Sequence, residues 1–139
     1  MTPSELHIAL ATRIEEQLTN WKQSLGLPDL LGRDPSSIDH LGFSVDLVAG
    51  RAGGGRQSTN YLHIEQVVIR FLFRVKPKDQ VTSVRDALEQ EQLLVKALVA
   101  KWNPQTHLIY ESSRRNSLPT GEWRQHEVTF NSQFYLSLE

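Results

Sequence analysis

Hydrophobic residues first recur at helical spacing. Leu6, Leu10, Ile14, Leu18, Trp21 and Leu25 stand four, four, four, three and four residues apart, the single buried stripe of an amphipathic helix. Thr2 is placed to cap it, Pro3 suits its first turn, and Glu5 completes a capping box. The pattern predicts a helix from about Pro3 to Leu25, ended by Gly26, with Arg13, Glu16 and Gln23 facing water. Leu27–His40, with Pro28, Gly32 and Pro35, reads as a surface connection.

The period then changes from helical to alternating. Leu41, Phe43, Val45, Leu47 and Ala49 alternate with Gly42, Ser44 and Asp46, a half-buried strand. Gly50–Asn60 holds four glycines and reads as a flexible loop. Tyr61–Lys76 predicts a long strand with Val67, Ile69, Phe71, Phe73 and Val75 on one face, and Gln66, Arg70, Arg74 and Lys76 on the other. Pro77 stops it. A second helix is expected from about Asp79 or Gln80 to Trp102, its stripe formed by Val84, Leu88, Val95, Leu98 and Trp102, widened by Leu94 and Val99. Thr106–Glu111 reads as a short strand and Ser112–Gly121 as a polar turn region. Trp123–Leu138 is a last long strand, with Val128, Phe130, Phe134, Leu136 and Leu138 together. The order α-β-β-α-β-β predicts an α+β domain: one antiparallel sheet of about four strands with both helices on one face.

Composition narrows the class. At 139 residues the chain is sized for a single domain with its own core. Its 39% hydrophobic and 22% charged residues fit a globular protein. The balance of 15 Lys and Arg against 16 Asp and Glu is unlike the basic face of a dedicated nucleic-acid binder. The absence of cysteine removes disulfides, thiolate nucleophiles and Cys-ligated metals. The N-terminus lacks the basic and apolar regions of a signal peptide, and no apolar run reaches the roughly 18 residues of a membrane span. A cytosol-like site of synthesis is the expectation.

Candidate chemistries are weak. Gly50-x-x-x-x-Gly55-Arg56-Gln57 imitates a phosphate-binding loop, but Arg56 and Gln57 replace its Lys and hydroxyl, and a strand follows instead of a helix. His7, His40, His63, His107 and His126 show no chelating spacing, so they read as solvated or singly hydrogen-bonded. His63 and His126 lie on strands that could be neighbours. There is no G-x-S-x-G or S-x-x-K, and the carboxylate pairs Glu15-Glu16 and Glu89/Glu91 sit on helices pointing apart. No catalytic residue, cofactor or metal is expected. Arginine outnumbers lysine ten to five. Its pairs at Arg51 and Arg56, Arg70 and Arg74, and Arg114 and Arg115 suit protein interfaces.

Two predicted strands of about 15 residues exceed the usual five or six, and they overhang the core that two helices can cover. Edges of that kind pair with other subunits. The capped helix, the glycine-rich hairpin, the strand ending Phe71-Leu-Phe-Arg-Val, the mid-chain helix Leu88–Trp102 and the closing segment from Gly121 together resemble the tail terminator, or tail-completion, proteins of long-tailed bacteriophages. The resemblance implies a virion protein assembled in the host cytoplasm. It would form a hexameric ring that caps the tail tube, ends its polymerisation and meets the head connector, with DNA passing through the channel. By that analogy Arg51, Arg56 and Gln57 in one loop and Arg114, Arg115 and Asn116 in the other are partner-binding residues. Asp46 and Glu65, placed on strand faces opposite the apolar ones, are candidates to line the channel. A contractile-tail or secretion-system ring component shares the same physics. The alternative is a small α+β enzyme or ligand-binding domain with a site beside the 50–60 loop, lined by Arg70, Arg74, His63 and His126.

Overall fold

The structure, a computed structural model, describes residues 1–23, 40–57, 60–102, 107–117 and 122–137. Helix α1 spans Pro3–Gln17. Its start is as expected: the Glu5 N–H donates to Thr2 Oγ1 and the Thr2 N–H donates to Glu5 Oε2, each at 3.2 Å. Its end comes before the predicted Leu25. Leu18 is the C-cap, and the Trp21 N–H turns back to the Leu18 carbonyl at 2.9 Å. Thr19 and Asn20 compete for backbone hydrogen bonds and favour such a turn. Trp21 stays in the core without being helical, its ring 4.5 Å from Phe71 and 6.0 Å from Phe43. The apolar spacing therefore survived while the helix did not. Gly26 and the connection to residue 39 lie outside the described residues.

Among the described residues the sheet has five strands rather than four: β1 (Lys22–Gln23), β2 (Gly42–Gln57), β3 (Asn60–Arg74), β4 (His107–Ser117) and β5 (Trp123–Ser137), in the order β1-β2-β3-β5-β4. All pairings are antiparallel except β1 with β2. That short parallel pair forms where the chain comes back past Leu41. Leu41 has φ 59°, uncommon for a branched side chain. Its burial, its N–H to the Leu72 carbonyl (2.7 Å) and its carbonyl accepting from Lys22 (3.1 Å) hold it there.

Two predicted loops are strands. β2 runs through the glycine segment to Gln57, with irregular register between Ala52 and Arg56. Glycine lacks a side chain to pack, but the continuous partner β3 supplies the ladder. Likewise Ser112–Ser117, predicted as turn, continues β4 because β5 pairs with it to the Ser117–Arg124 row.

Helix α2 spans Gln80–Val99, after a single 3-10 turn at Pro77–Asp79. It also ends before Trp102. Its buried residues are Ser83, Ala87, Glu91, Leu94, Ala97 and Leu98, whereas Leu88 and Val99 are exposed. The helix is thus rotated from the predicted stripe, because two of its inward positions are polar and a count of apolar residues passes over them. Ser83 Oγ accepts the Lys76 N–H at 3.1 Å. Arg13, predicted to face water, instead donates to the Ala97 carbonyl at 3.1 Å and lies over the Trp102 ring.

Both helices cover one sheet face. There Phe43, Val45, Val67, Ile69, Phe71, Val128 and Phe130 meet Leu6, Leu10, Ile14, Leu94 and Leu98. Burying a leucine of this kind is worth several kcal/mol including the cavity its loss leaves. Leu94→Ala should therefore cost about 2–5 kcal/mol, and Leu88→Ala less than about 1 kcal/mol, in urea unfolding. The reverse order would contradict this rotation of α2.

Candidate functional site

The register fixes which chemistry lies on which side. On the helix-covered side, Phe71 is opposite His126, Glu65 opposite Ser132 and His63 opposite Phe134. On the open side, Arg70 is opposite Glu127 and Gln66 opposite Asn131.

Beneath α2 lies a polar cluster. Glu91, only 7% exposed, accepts from Arg115 through both oxygens, at 3.1 and 2.6 Å, and is 2.9 Å from Nδ1 of the fully buried His126. Arg124 Nε donates to His126 Nε2 at 3.3 Å, so the ring proton resides on Nδ1 and is donated to Glu91. Burial pushes the Glu91 carboxyl up, but the hydrogen bonds from Arg115 and His126 outweigh it and hold it below 4.5. His126 is held below 6.5 mainly by burial, with Glu91 acting in the other direction and Arg124 and Arg115 reinforcing the fall. This clamp ties α2 to β4 and β5. Further along the same face His63 Nε2 lies 3.1 Å from Glu65 Oε1. Gly50 makes room for that pair, since a Cβ there would stand 2.9 Å from each of those two atoms.

The open face has no helix over it among the described residues. Arg70 bridges Asp46 (3.4 Å) and Glu127 (3.2 Å) across three strands. Beyond them a shallow depression of about 200 Å³ is lined by Ala49, Arg51, Ile64, Gln66, Glu111 and Asn131. The two outer edges of the sheet carry exposed apolar residues: Val48 on β2, and Ile109 and Tyr110 on β4.

The residues expected to meet partners are distributed as follows. Arg51 is exposed on the open face of β2. Arg56 and Gln57 close β2, opposite Tyr61 and Asn60, and their side chains lie outside the described residues. Arg114 and Asn116 are exposed on β4, while Arg115 is drawn to Glu91. Asp46 lies on the open face as expected. Glu65 does not: it shares the parity of Val67 and is buried on the covered side. His126 is neither solvated nor singly bonded. Glu91, considered from sequence only as one of a carboxylate pair pointing apart from Glu89, is the centre of the clamp; its place in the 83, 87, 91, 94, 98 stripe was the signal. The four residues proposed to line a ligand site do not converge. Arg70 and Arg74 project to the open side, and His63 and His126 to the other, eight rows apart. Among the described residues no group of three or more His, Asp or Glu is disposed to hold a metal ion.

No protein-family model and no curated protein sequence matches the chain. Solved structures do. A chain from the virion of a native gene transfer agent particle superposes with a TM-score of 0.53 at 12% identity, over 94% of this chain and 95% of that one. The two share a fold. The likeness runs nearly end to end, so it includes the overhanging strands as well as the core.

The clamp makes stability depend on acid. Because His126 is held below 6.5, the fold favours its neutral form, and that contribution is lost as pH falls below the unfolded value. His40 is lowered too, chiefly by burial and then by Arg74 and Lys76, and its Nδ1 accepts the Arg74 N–H. Glu91 extends the loss to below pH 4.5. The urea midpoint should be flat from pH 8 to 7 and fall between pH 6.5 and 5, with a smaller fall in His40→Gln and His126→Gln. An equal fall in both variants would contradict the assignment.

Proposed function

We propose that this chain is a structural virion protein of the tail-terminator type. It forms a hexameric ring that caps the tail tube, stops its growth and presents a surface to the head connector. One observation carries the reading: β2, β3 and β5 run 15 or 16 residues, roughly 50 Å, far beyond what the two helices cover. A sheet so built leaves two long edges and stretches of strand with no helix over them among the described residues, which is costly for a monomer and useful for a subunit. The shared fold with a chain of a virion particle supports the same reading.

The charges fit the role. With a net charge of −1 and Arg70 neutralised between Asp46 and Glu127, the described residues of the open face offer no continuous cationic track to retain DNA in transit. Arg51, Arg56 and Gln57 near the hairpin end, and Arg114 and Asn116 at the edge, are the contacts proposed for the tube protein and connector. Arg115 is better placed to hold β4 in position for them. No catalytic step is part of this function. The ligand-binding alternative loses its proposed lining, since the four side chains lie on opposite faces.

In cells producing the particles, deletion of the gene should yield tails of uncontrolled length without attached heads, seen by negative-stain microscopy. Purified protein should restore joining, and light scattering should give a mass of six protomers. Tails of normal length in the deletion, together with a strictly monomeric protein that binds no tubes, would sink the proposal.

A further inference from the structure

We infer that the outer edge of β4 pairs with the outer edge of β2 of a second copy of this chain, antiparallel, from Ser112 opposite Asp46 to His107 opposite Arg51. The inference rests on the ring reading and names the junction that would close the ring.

Both edges are open. β1 occupies the outside of β2 only at Gly42 and Phe43, and the His7 ring takes the Val45 carbonyl at 2.8 Å. From Asp46 onward no strand lies there among the described residues, and none flanks β4 on its outer side. Neither strand contains the Pro or Lys that commonly protects an edge.

Strand direction fits head-to-tail assembly. β2 and β5 run one way, β3 and β4 the other. A sheet repeated side by side therefore sets β4 against an oppositely running β2, the same antiparallel alternation found inside the chain. Such a heterologous contact closes into a ring when the rotation allows.

Register supplies the specific argument. Between the Asp46 and Ala49 rows, the inner strands use three residues, Gln66–Val68 and Thr129–Asn131. β2 uses four, Asp46–Ala49, and β4 also uses four, Ile109–Ser112, because each carries one extra residue in that interval. The extra residues, Val48 and Glu111, fall in adjoining intervals on either side of the Leu47–Val67–Phe130–Tyr110 row, so both edges have the same length over the stretch. When the rows of one copy run on into the next, Ser112 meets Asp46, Ile109 meets Ala49, Leu108 meets Gly50 and His107 meets Arg51 in one constant register.

The side chains agree. Val48, Ile109 and Tyr110, exposed by 45%, 45% and 43%, all fall within this strip, with Tyr110 in the row of Leu47 and Val48 next to it. Arg114 stands one diagonal step from Asp46, within reach of a long side chain.

The chain has no cysteine, so a single engineered pair reports the junction. In Ala49→Cys/Ile109→Cys the two sites of one chain are separated by β3 and β5, about 14 Å, too far for an internal disulfide. Mild oxidation should give a non-reducing ladder extending to six protomers, at least tenfold stronger than in the off-register pair Ala49→Cys/Asn116→Cys. Ile109→Lys should abolish assembly while leaving the urea midpoint unchanged. Oligomers by light scattering without a ladder, or with equal ladders in both pairs, would overturn the junction but leave the ring. A wild-type protein that is monomeric at every concentration and gives no ladder would overturn both.

Discussion

The fold depends on the unbroken ladder between β3 and β5. Its 15 rows, from Asn60–Ser137 to Arg74–Trp123, contain no irregularity, so side-chain parity is constant along its whole length. A slip of one residue would send Val67, Ile69, Phe71, Val128 and Phe130 to the bare side and bring Arg70 and Glu127 under the helices. Everything else is attached to this pair. β2 and β4 add one strand on each flank; β4 departs from the ladder by one extra residue, and β2 by one at Val48 and again between Ala52 and Arg56.

The ladder also explains why a charged group is tolerated in the core. His126 falls on the covered side because it is in phase with Val128 and Phe130, and its ring stacks on Phe71 at 4.9 Å. A buried imidazole needs a partner for each nitrogen. Glu91 and Arg124 supply them, and Arg115 satisfies the second Glu91 oxygen. Removing Arg115 would leave the buried Glu91 carboxylate short of its strongest partner, so the network specifies how α2 sits more than it adds net stability. In particular it selects the rotation of α2 that leaves Leu88 outside.

Much of this was legible in the residues. The alternation at 67–75 and 128–136 defined both faces of the two central strands, and the Thr2–Glu5 box defined the start of α1. The second helix was found, but its inward face was misread, since Ser83 and Glu91 are core positions only through tertiary partners far along the chain. The glycines at 50–55 looked like a loop because glycine has low strand propensity, yet Gly50 is required by the His63–Glu65 pair beside it. The ends of both helices were misplaced for one reason: Trp21 and Trp102 continue the apolar spacing after the helix has stopped. Of the residues proposed to meet partners, Arg51, Arg114 and Asn116 are exposed on strands that the sequence read as loops. The exposed edge residues Val48, Ile109 and Tyr110 could not be distinguished from core without the sheet order.

That order gives the irregularities a meaning beyond local geometry. An extra residue in an edge strand ordinarily discourages pairing, because a straight incoming strand loses register after a few rows. Here both edges carry one, at nearly the same level. A regular foreign strand would meet the mismatch on either side, whereas the edge of another copy carries the compensating residue. If the proposed junction holds, the same device opposes general aggregation and permits self-recognition, which is specificity by a difference in fit. The proposed ring makes that difference matter, since long edges have to stay unpaired through synthesis before they meet their own kind.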